Sequence, residues 1–252
     1  MRGGEVLGRP IFAASSFSVV FPRVPRIRRL TNELEDRLAD PYGEHQSIPV
    51  PDELDPQVPR IIFQSSGGHS QILISQVSIS LNVAYDGEWT TNADKRHDYL
   101  SERVPLVYDL CAAAKAEPLF SGLTTRVRSS SDRSDQEILN HVVKVLAIAE
   151  AGSRLSELSL RLSSVVDSRF FDNVTIQSYR EWAPDAEASV PRLPSSAATS
   201  RGIELVQDFN DRYAFNERPE YGTSVAVGVE VVARSQESLH AWIARVTEAG
   251  FS

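Results

Sequence analysis

Cysteine is nearly missing from this 252-residue chain, with Cys111 as its only example. No intrachain disulfide can form, and no cysteine-based zinc cluster can be built. A reducing cytoplasm is the simplest setting for such a composition. Lysine is almost as scarce: Lys95, Lys115 and Lys144 are the only three among 26 basic residues. Cationic chemistry therefore falls to arginine, although a GC-rich coding sequence would leave the same bias. No apolar run approaches the roughly 20 residues that span a bilayer, so no membrane partner is expected. Arg2 and Arg9 precede the apolar Ile11-Phe12-Ala13-Ala14, but Ser15 and Ser16 interrupt it. That stretch reads as part of the first strand rather than as a secretory segment. Positive charge is in deficit overall, with 34 acidic side chains and a formal net charge of -8. The balance weighs against nucleic acid as a partner while leaving room for a local basic patch.

Recognisable catalytic motifs are lacking too. A phosphate cradle needs a glycine-rich loop opening onto a helix. Here Gly67-Gly68 lies between two strand-like runs, and Gly3-Gly4 precedes no helix. There is no Gly-x-Ser-x-Gly elbow for a hydrolytic serine. The five histidines, His45, His69, His97, His141 and His240, include no pair at helical i, i+4 spacing. No metal site and no cofactor are therefore expected. Cys111 falls on the apolar stripe of a helix, where a thiol packs rather than reacts. Asp208 and Asp211 are close enough in sequence for paired-carboxylate chemistry, but turn formation accounts for them more simply.

What is abundant is period-two alternation. Val77, Ile79, Leu81 and Val83 alternate with Ser78, Ser80 and Asn82. Leu158, Leu160 and Leu162 alternate with Ser159 and Arg161, and Val225, Val227, Val229 and Val231 with other residues. Such alternation marks strands with one buried and one wet face. It predicts an α+β fold of mainly antiparallel sheet packed by about four helices, as a single domain over 1–252. Two related sub-sheets, dividing near 130–152, are the alternative. Strands are expected near 17–21, 60–65, 71–83, 119–128, 155–166, 173–182, 202–213 and 223–233. The apolar phase shift at Ser75-Gln76 suggests a bulge within 71–83. Helices are expected over 25–39, over 98–116 with Pro105 delaying or kinking it, and over 134–151 with Gly152 as its stop. A final helix should be capped by Ser235. The proline-rich segment 48–59 should be extended, and 184–201 a long loop.

Three features nominate binding residues. Arg23, Arg26, Arg28 and Arg29 crowd the start of the first helix, where cations oppose the helix dipole. They are either a solvated helix end or a basic contact for a partner. Arg126 and Arg128, with Arg133 nearby, form a second cluster at a strand end that suits an acidic partner or phosphate. His69 sits in the turn Ser66-Gly67-Gly68-His69-Ser70, either as a solvated hairpin residue or as a functional loop group.

The order of segments resembles a sporadically distributed family of uncharacterised bacterial proteins of similar length. Phe17-Ser18-Val19-Val20-Phe21-Pro22 looks like that family's opening strand. Ser78-Ile79-Ser80-Leu81-Asn82-Val83, followed by Tyr99 and its helix, looks like its middle. Leu123-Thr124-Thr125-Arg126-Val127 falls where the family has a strand ending in arginine and an aromatic. The patchy distribution implies an accessory role, such as phage defence. The expectation is a non-enzymatic binding protein with a protein partner, a component of a bacterial defence or regulatory system. A SecB-like chaperone and a hydrolase with a site assembled from distant residues are the alternatives, and self-association into a homo-oligomer is compatible with each.

Overall fold

The computed structural model describes residues 6–38, 42–148, 155–183 and 193–247. The fold is α+β and built on one nine-stranded antiparallel sheet. Its strands are β1 (Ile11–Val20), β2 (Tyr42–Ser47), β3 (Ile61–Ser65), β4 (Ser70–Ile74), β5 (Ser78–Ala84), β6 (Phe120–Ser130), β7 (Ser159–Val166), β8 (Phe170–Glu181) and β9 (Ser200–Asn210). Across the sheet they run β2-β3-β4-β5-β1-β6-β9-β8-β7. The described helices are α1 (Thr31–Glu35), α2 (Ala93–Ala113), α3 (Asp135–Val145), α4 (Arg212–Glu217) and α5 (Val225–Thr247).

The element order repeats. β1 is followed by a helical segment, a meander whose last strand, β5, returns beside β1, and the long helix α2. β6 is followed by α3, a meander whose last strand, β9, returns beside β6, and the long helix α5. The halves meet where β1 and β6 pair antiparallel, with Phe17 opposite Leu123. An antiparallel junction flanked by two such units has approximate two-fold order about an axis through the sheet. The repeat turns over between α2 and β6, at 114–119 rather than at 130–152.

Alternation decides the two faces. Phe17 and Val19 of β1, Ile79 and Leu81 of β5, Leu123 and Val127 of β6, and Leu205 and Phe209 of β9 are buried beneath the helices. α2 and α5 cross above β1 at Gly228. A Cβ there would lie 2.8 Å from Tyr108 Cε2, 2.9 Å from Val104 Cγ1 and 3.1 Å from the Phe17 ring. Only hydrogen allows that approach.

Several sequence expectations are corrected. The segment 223–233 is no strand but the first part of α5. Its valines alternate locally, yet Gly228, Val231, Val232, Ser235, Leu239 and Val246 form a buried stripe at helical spacing. Packing of that stripe overrides the β preference of valine. Ser235 is accordingly not a cap. It lies mid-helix and donates to Gln207 Oε1 at 2.9 Å. Gln207 Nε2 donates to Asp172 Oδ1 at 2.9 Å, and Ser238 donates to Asp172 Oδ2. This buried chain pins α5 to β8 and β9.

The segment 71–83 is two strands, not one bulged strand. Ser75-Gln76-Val77 is a tight reversal in which Ser78 N–H donates to Ser75 Oγ at 2.9 Å. Reversal puts Ile72, Ile74, Ile79 and Leu81 on one face despite their change of phase. α2 starts at Ala93, earlier than expected, because Asn92 Oδ1 caps it by accepting from Lys95 N–H at 3.0 Å; the helix continues through Pro105. The 25–39 helix is broken into a 3₁₀ turn at Ile27–Leu30 and the short α1, although Ile27, Leu34 and Leu38 are buried as the spacing requires. The edge strand β2 has no clear sequence signal. The helix expected over 134–151 ends early, at Val145 with Leu146 as its cap, while Ala151, Gly152 and most of the 184–201 loop lie outside the described residues.

Beneath α5, Asp211 is fully buried. It accepts from Ser121 N–H at 2.6 Å and from Tyr221 O–H at 2.7 Å. Burial raises its pKa, against the pull of these donors. Ionising it therefore costs the folded chain stability as pH rises through its titration, and the Tyr221 bond offsets part of that cost.

Two stability measurements check this architecture. Gly228→Val should destabilise the fold by about 1–3 kcal/mol in urea titration, through overpacking at the helix crossing. Tyr221→Phe should lose about 1.5–3 kcal/mol at a pH above the Asp211 titration, the worth of a hydrogen bond to a charged group. The second loss should shrink as pH falls through the Asp211 titration, because a neutral carboxyl accepts a weaker bond.

Candidate functional site

The second face of the sheet is covered differently. Among the described residues, the long helices all pack on the apolar face. Only short α4 reaches the other side, where Phe215 contacts Phe120 and Tyr213 contacts Phe171. Along the centre of this open face the side chains are small. β1 presents Ala14, Ser16 and Ser18, β5 presents Ser80, Asn82 and Ala84, and β6 presents Gly122 and Thr124. The hydroxyls are paired across strands: Ser16 Oγ donates to Asn82 Oδ1 at 2.6 Å, and Ser18 and Ser80 bond at 2.7 Å. Short side chains in the middle and longer ones on either side make a trough.

That trough is a groove of about 520 Å³. Its floor includes Ala14, Ser16, Asn82 and Thr124. One wall carries Arg126 and Arg128 from β6, and the other carries Gln64, Gln71 and the β3–β4 turn with His69. The sheet thus brings together His69, Arg126 and Arg128, three nominated residues from segments about 60 positions apart in sequence.

The arginine wall has a definite charge pattern. Glu204, opposite Arg128 on β9, is only 4% exposed and accepts from Arg128 Nε at 2.7 Å. Gln177 Nε2 donates to its other oxygen at 2.8 Å. Arg128 also pairs with Glu181 and stacks near Tyr179, 5.1 Å from the ring centre. The bond to Glu204 raises the Arg128 pKa. Arg126 is held more loosely: its Nε lies 3.7 Å from Glu204 Oε1, beyond a hydrogen bond, and its side chain is 50% exposed. Two cations share one buried carboxylate, and Arg126 keeps donors facing solvent.

His69 is shaped by its turn. Gly68 takes φ +73°, and Gly68 N–H donates to Ser65 O at 2.9 Å. Gln64 Nε2 donates to the carbonyls of Gly68 and Ser70 at 2.9 and 3.1 Å. The His69 ring sits 5.5 Å from Trp89 and 5.3 Å from Tyr99, with Nε2 buried and without a hydrogen-bond partner. These ring contacts hold the imidazole at the rim of the groove.

The other arginine cluster lies elsewhere and is split. Arg23 donates to Gln76 Oε1 at 3.1 Å and to Asp52 O at 2.6 Å. Arg28 donates to the carbonyls of Ile48 and Val50 and pairs with Asp52. Arg60, fully buried and unremarked in the sequence, donates to Val58 O at 2.5 Å and to the carbonyls of Pro51, Leu54 and Asp55 at 3.2–3.3 Å. These three arginines tie down the proline-rich 48–59 loop, whose carbonyls have few backbone donors because proline lacks N–H. Arg26 and Arg29 stay exposed on the neighbouring turn.

The remaining candidates are structural. Cys111 is buried in α2 and its thiol is pushed up to about 12. His45 pairs with Glu35, His141 Nε2 lies 3.1 Å from Val246 O, and the His240 ring packs edge-on to Phe12. Asp208 lies on the open face and bonds Asn173 and Asn210, whereas Asp211 is buried, so the two do not form a carboxylate pair. Among the described residues no group of three or more His, Cys, Asp or Glu is placed to hold a metal ion, and no helix is long and apolar enough to cross a membrane.

No protein-family model matches the chain, and comparison with curated proteins finds no match.

The loop anchoring has a direct consequence. Arg60→Ala should take the guanidinium donor from four carbonyls, leaving those of Pro51 and Asp55 only the backbone N–H of Leu54 and Val58. Thermolysin should then cut within 48–59 several-fold faster than in the parent, while the circular dichroism of the sheet is retained. Arg29→Ala should leave the cleavage rate unchanged.

Proposed function

We propose that the chain is a non-enzymatic binding protein that holds an acidic polypeptide segment in the open-face groove. The observation that carries this reading is Arg126: a half-exposed guanidinium, with only a long contact to Glu204, at the wall of a trough floored by small side chains. A guanidinium with free donors takes a carboxylate in a two-pronged geometry. The small floor leaves space for an extended backbone, and Ser16, Asn82 and Thr124 offer polar groups along its path. Glu204 limits the excess of positive charge, which favours isolated carboxylates over the dense charge of a phosphate backbone.

The cytoplasmic setting and the accessory role in a bacterial defence or regulatory system belong to this proposal. A single buried thiol suits a reducing compartment. A chaperone of the SecB type would work through a broad apolar surface. Here the open face offers hydroxyls and amides, so the groove favours a defined acidic segment over unfolded clients.

The test is fluorescence anisotropy with a panel of labelled peptides, acidic, neutral and basic, and a single-stranded oligonucleotide of equal length. Acidic peptides should bind best, and Arg126→Ala should weaken them about tenfold or more, the scale of a lost charge-assisted bond. Tighter binding of the oligonucleotide, or an unchanged affinity in Arg126→Ala, would refute the assignment.

A further inference from the structure

A second concavity lies on the opposite face of β1, between the sheet and the two long helices. It is a cavity of about 30 Å³. That is enough for a water or a small ion. Its wall includes Phe12 and Ser15 of β1, Tyr85 after β5, Arg96 and His97 of α2, and Thr125 of β6.

Arg96 is the unusual member. It occupies the buried stripe of α2 that continues through Leu100, Val104, Val107 and Cys111, and it is 5% exposed. A guanidinium that deep ordinarily faces a carboxylate. Among the described residues none lies within ion-pair distance of it. Its interactions are a hydrogen bond from Nη1 to Trp89 O at 2.7 Å, stacking 3.5 Å from the Phe12 ring centre, and Tyr85 at 5.7 Å. Arg96 also lies in the first turn of α2, where the helix dipole adds positive potential.

The surrounding groups are rich in donors. Tyr85 Oη is buried without a hydrogen-bond partner. Burial pushes this phenol up to about 12, against the pull of the nearby Ser15 hydroxyl and the Arg96 charge, so at neutral pH it keeps a proton that it has free to give. Ser15 and Thr125 share one bond at 3.0 Å. Two hydroxyls carry two protons and that bond uses one, so one O–H is left to give. His97 Nδ1 is also buried and without a partner.

We propose that this cavity is a binding site for a small monovalent anion, either a halide or the carboxylate head of a small organic acid. Arg96 supplies the charge, and Tyr85 with the Ser15–Thr125 pair supplies neutral donors. The anion would neutralise a cation enclosed between α2, α5 and the sheet, and so couple the helix layer to the solution composition. The site is separate from the open-face groove, and its fate does not depend on the peptide reading.

The test is thermal unfolding at constant ionic strength, with a bulky anion replaced stepwise by bromide, chloride, formate or acetate. A saturable rise in Tm is expected for halides alone if the ion is inorganic, and for formate or acetate if a carboxylate is preferred. Arg96→Met, which keeps the packing stem, should abolish the rise. Tyr85→Phe, which removes only the orphan oxygen, should raise the half-saturating concentration about fivefold to tenfold. Crystals grown in bromide should show an anomalous peak within contact of the Arg96 guanidinium. If Arg96→Met does not fold, Tyr85→Phe and the anomalous map decide. Water alone in the cavity at high bromide and formate, or Tm shifts that Tyr85→Phe leaves unchanged, would overturn the proposal.

Discussion

The pairing of β1 with β6 is the constraint on which the rest of the structure depends. It joins two units that each have an open sheet side of their own, one ending in β5 and β1 and the other in β6 and β9. Without that junction, β1 and β6 would each be an exposed edge carrying unpaired backbone groups. With it, the two long helices fall on the same face and meet over Phe17, where Gly228 lets them touch. The antiparallel sense of the junction also makes the units face opposite ways along the strands, so their loops are spread over both ends of the sheet.

The two faces of the sheet then follow different rules. The helix side is an apolar core crossed by fully bonded polar chains. Ser235, Gln207, Asp172 and Ser238 form one, and Ser121, Asp211 and Tyr221 form another. Such chains add directional register to an otherwise non-directional apolar contact. The open side has little apolar area to hide. Its centre is serine, asparagine, threonine, alanine and glycine, which can remain wet without cost.

Arginine serves three roles here, and the environment of each guanidinium separates them. Arg23, Arg28 and Arg60 satisfy loop carbonyls and are structural. Arg128 is claimed by Glu204 and Glu181. Arg126 and Arg96 have charge left over, one at the wall of a wide groove and one beside a small cavity between the sheet and the long helices. The first is accessible to a chain segment, and the second only to something the size of a few atoms. That difference in access is why the two are assigned different ligands.

The α+β class, the buried face of β5 and the packing role of Cys111 could be read from residue spacing, because period-two and helical patterns are local. Arg96 was missed because the helix was expected to start at 98, and only its true start at Ala93 puts this charge on the buried stripe, four positions before Leu100. Local pattern failed where two conformations share a composition. The valines of 225–231 resemble a strand until the stripe is followed to Val246, and the phase shift at Ser75 fits a reversal as well as a bulge. The groove was beyond local reading, since His69 and Arg126 come to line one groove only through the order of strands. Which arginine is tied and which is free depends on carboxylates and carbonyls brought in from distant segments, such as Glu204 beside Arg128. Periodicity along the chain determined what is buried; long-range pairing across the sheet decided what is left exposed and charged, because only folding sets the distance between groups far apart in sequence.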